Sequence, residues 1–233
     1  MPKQKDNISL NALQKKLGYT FKNINLLKTA LNPSIDPTKH QFMEHLGDNY
    51  LETILREWGF KEFYPAFQSY TDFLSKARSN IILALVAENL GIVKYISNDY
   101  AQQEETLVKE HADILEALFY AIDKDGGKAA VKKVVLHIIP LAKIKKIRTV
   151  SLNGRTVQRD ATTALEKWSH SNKVKPPSYD SKRIGSGLCL CTITFNGRTI
   201  KASGKQQYEA EHMAAYWMLH ISEQERLRKV LFS

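Results

Sequence analysis

The stretch His40-Gln41-Phe42-Met43-Glu44-His45-Leu46-Gly47-Asp48-Asn49-Tyr50-Leu51 decides how this chain is read. It leads into Asn49–Trp58, where Tyr50, Leu51, Ile54 and Leu55 recur with helical spacing. On a helix Glu44 and Asp48, at i and i+4, project from one side. A second acidic pair, Asp113 and Glu116, stands at i and i+3 within Ala112-Asp113-Ile114-Leu115-Glu116-Ala117. It too lies in a helical pattern, Leu107–Ala121, carried by Leu107, Ile114, Leu115, Leu118 and Phe119. Like charges so placed repel one another, and a fold that keeps them close needs a compensating cation. Oxygen ligands with no Cys or His requirement suit Mg²⁺ or Mn²⁺ rather than zinc. By spacing alone, most such pairs are solvated surface.

Outward from these clusters the grammar stays helical to about residue 147, with Ile81–Leu90 carrying Leu85, Val86 and Leu90 on one face. Asp125-Gly126-Gly127 reads as a helix stop before another helix from Lys128. The segment Thr149–Gly154 breaks the periodicity. After it Asp160 can cap a helix to about Ser171, with Ala164, Leu165 and Trp168 inward, and Pro176-Pro177 ends it. Three strand-like pieces follow: Ser178–Lys182, Leu188–Phe195 and Thr199–Ser203. Asn196-Gly197 is the turn between the last two. A helix over Gln206–Ser222 closes the pattern. The expectation is therefore an all-α domain over residues 1–149, a basic linker over 150–159 and a small α+β (α-β-β-β-α) domain over 160–224.

Composition narrows the class of partner. The 233 residues are 43% apolar and 25% charged, which is globular and excludes bulk disorder. No apolar run approaches the roughly 20 residues of a membrane span, and the first sixteen residues hold no apolar signal core. Cys189 and Cys191 are too close together to staple a fold, so a reducing, cytoplasmic setting suits them. Lys and Arg exceed Asp and Glu by 34 to 24, a net charge of +10. Nine of those cations and no acid fall between Lys128 and Arg159. Such a stretch fits a polyanionic partner, above all nucleic acid, and equally a solvated helix face with a flexible linker.

The motifs resemble a known family. Phe42–Leu51 resembles the signature helix of the ribonuclease III family, a pattern close to E-R-L-E-F-L-G-D-A-V-L. Lys109–Gly127 is similar to that family's A-D-x-x-E-A-L-x-G-A-I-x-x-D-G-G. Ser79-Asn80 with Ala87-Glu88-Asn89-Leu90-Gly91 resembles its S-N…A-x-x-L-G stretch, and Leu17–Asn23 with Leu26–Leu31 resembles its opening. Asp160–Trp168, Pro177-Ser178-Tyr179, the hairpin and Ala214-Ala215 resemble the double-stranded-RNA-binding domain that follows it in bacteria.

The resemblance implies a ribonuclease III-like domain followed by a divergent double-stranded-RNA-binding domain. Its implied activity is metal-dependent endonucleolytic cleavage of duplex RNA to 5′-phosphate and 3′-hydroxyl ends, in processing of structured ribosomal or messenger RNA precursors. Glu44, Asp48, Asp113 and Glu116 match the catalytic carboxylates. Glu44, Asp113 and Glu116 are the implied ligands of Mg²⁺, for which Mn²⁺ can substitute, and Asp48 binds or orients the attacking water. It further implies a homodimer with His45 at the interface, with neither membrane nor small-molecule cofactor. Contacts to RNA are expected from Lys143, Lys145, Lys146 and Arg148, and from Lys182, Arg183 and Lys205.

The departures sustain a second reading. Gln41 and Phe42 replace the signature Glu and Arg, Phe42 being read as a core position, and His45 replaces the Phe that packs into the partner. Gln207, Tyr208 and Glu211 stand where the family has phosphate-binding lysines, and Ile184–Gly187 lacks the histidine of the minor-groove loop. The alternative is a non-catalytic descendant of the fold, a structural RNA-binding or ribosome-associated protein.

Overall fold

Helix boundaries in the first half follow from capping chemistry. Asp36 accepts a hydrogen bond from Lys39 N (3.0 Å), with Pro37 at the first helical position. Ser79 caps another helix, which Gly91 ends at φ +80°. The computed structural model describes residues 3–95, 104–147, 161–184 and 188–233. They divide into two units, Met1–Ile147 with Leu231–Ser233, and Arg148–Val230.

The first unit is all-helical: α1 (Lys3–Leu17), α2 (Ile24–Leu31), α3 (Pro37–Phe63), α4 (Phe67–Ala77) and α5 (Asn80–Leu90). A 3₁₀ turn (Ile92–Tyr95), α6 (Glu104–Gly126), α7 (Lys128–Ile138) and α8 (Leu141–Ile144) follow. Helix α3 takes in the whole of Phe42–Leu51 and begins upstream at Pro37, because Asp36-Pro37 is a start signal. Helix α6 is the axis of the unit, packed against α2, α3, α5 and α7. Its Ile114, Leu115, Leu118 and Phe119 are fully buried, as are Leu51 and Leu55 of α3. In α5 every residue from Ile81 to Ala87 is buried, so it is apolar all round. Phe42 corrects the core reading: it is 66% exposed, because position 42 faces away from the side of α3 on which Met43 and Gly47 are buried.

Two carboxylates pin this arrangement. Asp125 accepts from Tyr19 Oη (2.7 Å), Lys22 N (2.8 Å) and Asn23 N (2.8 Å). Asp123 accepts from Tyr50 Oη (2.8 Å), tying α3 to the end of α6. Gly127, at φ +81°, then turns the chain into α7.

The second unit runs α9 (Ala161–Ser171), β1 (Ser178–Ile184), β2 (Leu188–Phe195), β3 (Arg198–Gly204) and α10 (Gln207–Phe232), with an antiparallel sheet ordered β1-β2-β3. Asn196 and Gly197 both take positive φ (+49° and +77°), the two-residue turn whose twist matches its strands. Alternation along β2 buries Cys189, Cys191, Ile193 and Phe195, so both free cysteines are core residues. The Trp168 and Phe195 rings meet edge-to-face with centroids 5.9 Å apart, and Trp168 donates from Nε1 to Glu223 (2.9 Å). Helix α10 runs on past Ser222 to Phe232, with Leu227 continuing its buried face. The expected boundary at 149, the linker 150–159, the Asp160 cap and the loop 185–187 lie outside the described residues. Among the described residues no helix is long and apolar enough to cross a membrane.

Candidate metal centre

The site begins with a missing side chain. Helices α3 and α6 meet at Gly47, where a Cβ would stand 1.8 Å from the Glu116 carbonyl oxygen. Only glycine lets the two backbones come this close. Their approach brings Glu44 of α3 onto Asp113 and Glu116 of α6, and one carboxylate oxygen from each lies within 4.8 Å of the others. Three hard oxygen donors converging without Cys or His are a ligand set for a divalent cation such as Mg²⁺ or Mn²⁺.

The electrostatics record the crowding. Glu116 is 8% exposed. Burial, then the charges of Asp48, Asp113 and Glu44, push its carboxyl up to about 8. Burial and Asp113 likewise raise Glu44. A cation opposes both shifts: Lys109 Nζ lies 2.6 Å from Asp113 Oδ2 and 3.7 Å from Glu44 Oε1. Its hydrogen bond to Asp113 holds the ammonium above the usual lysine range. A group that stays protonated at neutral pH among three other carboxylates is one that a divalent ion would relieve, so the residues present fit the group.

Asp48 stands outside the three-oxygen set, close enough to act on Glu116. Its Oδ2 lies 3.8 Å from Arg78 Nη2, while Arg78 Nη1 donates to Glu52 (2.8 Å). The neighbouring His40 is 5% exposed, shares a 3.0 Å hydrogen bond between Nε2 and the Ala30 carbonyl, and is held by burial below the usual histidine range. His45 is not part of the acidic cluster. It is exposed on the strip of α3 that carries Phe42 and Leu46.

The expected RNA contacts scatter. In the first unit Lys143 is half-buried and Lys146 exposed. Lys145 pairs with Glu62 (2.9 Å) and lies 5.4 Å from the Phe63 ring centre; Arg148 lies outside the described residues. In the second unit Lys182 and Arg183 line a cleft of about 530 Å³ with Ser181, Cys189, Tyr208 and Glu211, and Lys205 is exposed. At the start of α10, Glu209 Oε2 accepts from the backbone N–H groups of Lys205 (2.8 Å) and Gln206 (3.3 Å). Glu211 Oε1 accepts from Ser181 Oγ (2.9 Å) and Gln207 Nε2 (2.8 Å). Glu209 thus closes the entry to the helix, bonding the two amides that precede its first residue.

Sequence reasoning passed over Lys109, Arg78 and Glu209. Lys109, four residues before Asp113, was legible as an i,i+4 pair. Arg78 carried no local signal, since its partners Asp48 and Glu52 are brought to it by packing.

No protein-family profile matches the chain. Bacterial proteins named Ribonuclease 3 align with most of it. That of Alcanivorax borkumensis is 28% identical over 235 residues, 94% of this chain and 99% of the relative. That of Mannheimia succiniciproducens is 26% identical over 224 residues, 90% and 96% of the two chains. Among solved structures, the nuclease domain of Ribonuclease III from Campylobacter jejuni superposes with a TM-score of 0.49 and 25% identity, covering 55% of this chain and 94% of that one.

Proposed function

We infer that this chain, a homologue of bacterial Ribonuclease 3 along nearly its whole length, is an endoribonuclease. In this reading it cleaves double-stranded RNA to 5′-phosphate and 3′-hydroxyl ends, with structured ribosomal and messenger RNA precursors as substrates. The observation that carries it is the convergence of the Glu44, Asp113 and Glu116 carboxylates within 4.8 Å in such a homologue.

Glu44, Asp113 and Glu116 would hold Mg²⁺, or Mn²⁺ in its place. When bound, the ion supplies Lewis acidity at the scissile phosphodiester and stabilises charge on the leaving oxygen. Asp48 accepts a hydrogen bond from the attacking water and orients it, with Arg78 anchoring its outer side. Glu116 must give up its proton before it can serve as a ligand. The exposed strip of Phe42, His45 and Leu46 supports a homodimer, each copy cutting one strand. The basic residues from Lys143 to Arg148 and the Lys182, Arg183 and Lys205 group contact the RNA backbone. A cytoplasmic setting agrees with two free, buried cysteines.

The test is a labelled RNA duplex incubated with the purified chain, with and without Mg²⁺, reading both cleavage and end chemistry. Expected are Mg²⁺-dependent cuts leaving 5′-phosphates, absent in Glu116→Gln, which still retains RNA. A second reading, a structural RNA-associated protein, is favoured by one observation: Glu209 and Glu211 occupy the start of α10. Duplex retained but never cut, at any Mg²⁺ concentration, would establish that reading instead.

A further inference from the structure

The acidic cluster contains a cation of its own. Lys109 is 61% exposed on its side chain, yet its ammonium spans two of the three candidate ligands, donating to Asp113 Oδ2 at 2.6 Å with Glu44 Oε1 at 3.7 Å. Its position on α6 accounts for the first contact and not for the second. A lysine placed N-terminal to its i+4 acid is the weaker orientation of a helical ion pair, and an exposed pair contributes little. The short contact is to Asp113 on its own helix, and the Gly47 approach sets a second carboxylate, Glu44 of α3, beside the same ammonium. Ammonium is a compact, hydrated point charge on a flexible stem, able to neutralise a carboxylate pair and able to leave.

We propose that Lys109 is a tethered competitor of the divalent ion, neutralising Glu44 and Asp113 while the centre is empty and setting the metal concentration at which it fills. The inference rests on the metal-centre reading above. Asp113 Oδ2 cannot serve a divalent ion fully while it also accepts the ammonium proton at 2.6 Å. Because the lysine is covalently attached one helical turn away, its effective concentration at the site is constant and high. Metal therefore enters only by displacing it toward solvent, where its exposed position leaves it free to go. The same contact keeps the carboxylates gathered in the metal-free protein, so the ligand set is organised before the ion arrives.

The test uses the full chain and Mn²⁺, counted as free ion by electron paramagnetic resonance during titration. Lys109→Met keeps the apolar stem and removes the charge; Lys109→Arg keeps the charge. Lys109→Met is expected to bind Mn²⁺ at least roughly fivefold more tightly than the parent, the scale of about 1 kcal/mol, while Lys109→Arg stays near the parent. Metal-free Lys109→Met is also expected to melt below the parent at pH 8 and to recover when Mn²⁺ is added. Unchanged or weaker Mn²⁺ binding in Lys109→Met, with parent binding that Glu116→Gln abolishes, overturns the competitor role and leaves the metal centre standing. Absence of Glu116-dependent Mn²⁺ binding in both parent and Lys109→Met overturns the metal centre, and the competitor with it. Binding in Lys109→Met alone is the strongest form of the expected result.

Discussion

Replacing Glu116 by Gln should stabilise the metal-free protein at alkaline pH, the reverse of what a buried substitution usually does. The carboxyl is raised from 4.5 to about 8, first by burial and then by Asp48, Asp113 and Glu44. A carboxyl raised on folding contributes stability that is fully present below its unfolded value, and that stability is lost as pH climbs through the folded one. For Glu116 the loss runs from about pH 4.5 to about 8 and is complete above that. At 1.36 kcal/mol per pH unit the interval corresponds to roughly 5 kcal/mol. Water entering from the open side of the cluster reduces the expected local gain to about 2 kcal/mol. Gln keeps the volume and the hydrogen-bonding capacity and carries no charge, so the variant escapes this loss. Thermal melts of parent and Glu116→Gln without metal should nearly coincide at pH 5. They should separate by about 4–8 °C at pH 9, in favour of the variant. Mg²⁺ should raise the parent's melting temperature and leave the variant's where it was, since only the parent has the full ligand set. A Glu116→Gln protein that melts below the parent at pH 9, or that gains as much from Mg²⁺, would refute both the crowding argument and the ligand assignment.

Gly47→Ala should lower stability by about 3 kcal/mol, because the new Cβ lies 1.8 Å from the Glu116 carbonyl and the helices must part by more than an ångström. Denaturant melts check this, and loss of the Mg²⁺-induced stabilisation should accompany it; a neutral substitution with intact metal response would remove Gly47 from the argument. Leu46→Glu, on the exposed strip with Phe42 and His45, should convert a dimer of about twice 26.6 kDa into a monomer by light scattering. A parent that is monomeric at micromolar concentration would sink the dimer. Changing Lys143, Lys145, Lys146 and Arg148 together to Ala should flatten the slope of log K for duplex RNA against log salt by roughly two to three units. The same change at Lys182, Arg183 and Lys205 should flatten it less, because carboxylates already occupy the start of α10. The opposite ranking would make the second unit the main RNA-binder.

Local chemistry was enough to determine much of this chain. The 3.6 spacing of Leu51, Ile54 and Leu55, the Asn196-Gly197 turn and the alternation in Leu188–Phe195 act within a few residues, so elements and their order could be read directly. The four carboxylates were legible through the motifs around them, and Cys189 and Cys191 as strand residues through their alternation. Boundaries were less legible where burial overrode local stops, as in α10, whose Leu227 stays buried beyond Ser222. Three facts required the tertiary structure. That Gly47 meets the backbone of Glu116 is a property of two helices far apart in sequence. That Lys109 bridges Glu44 and Asp113, while Arg78 attends Asp48, depends on which faces packing brings together. The raised pKa of Glu116 follows from the helix approach, against the opposing charge of Lys109, because burial and like charge act through space rather than along the chain.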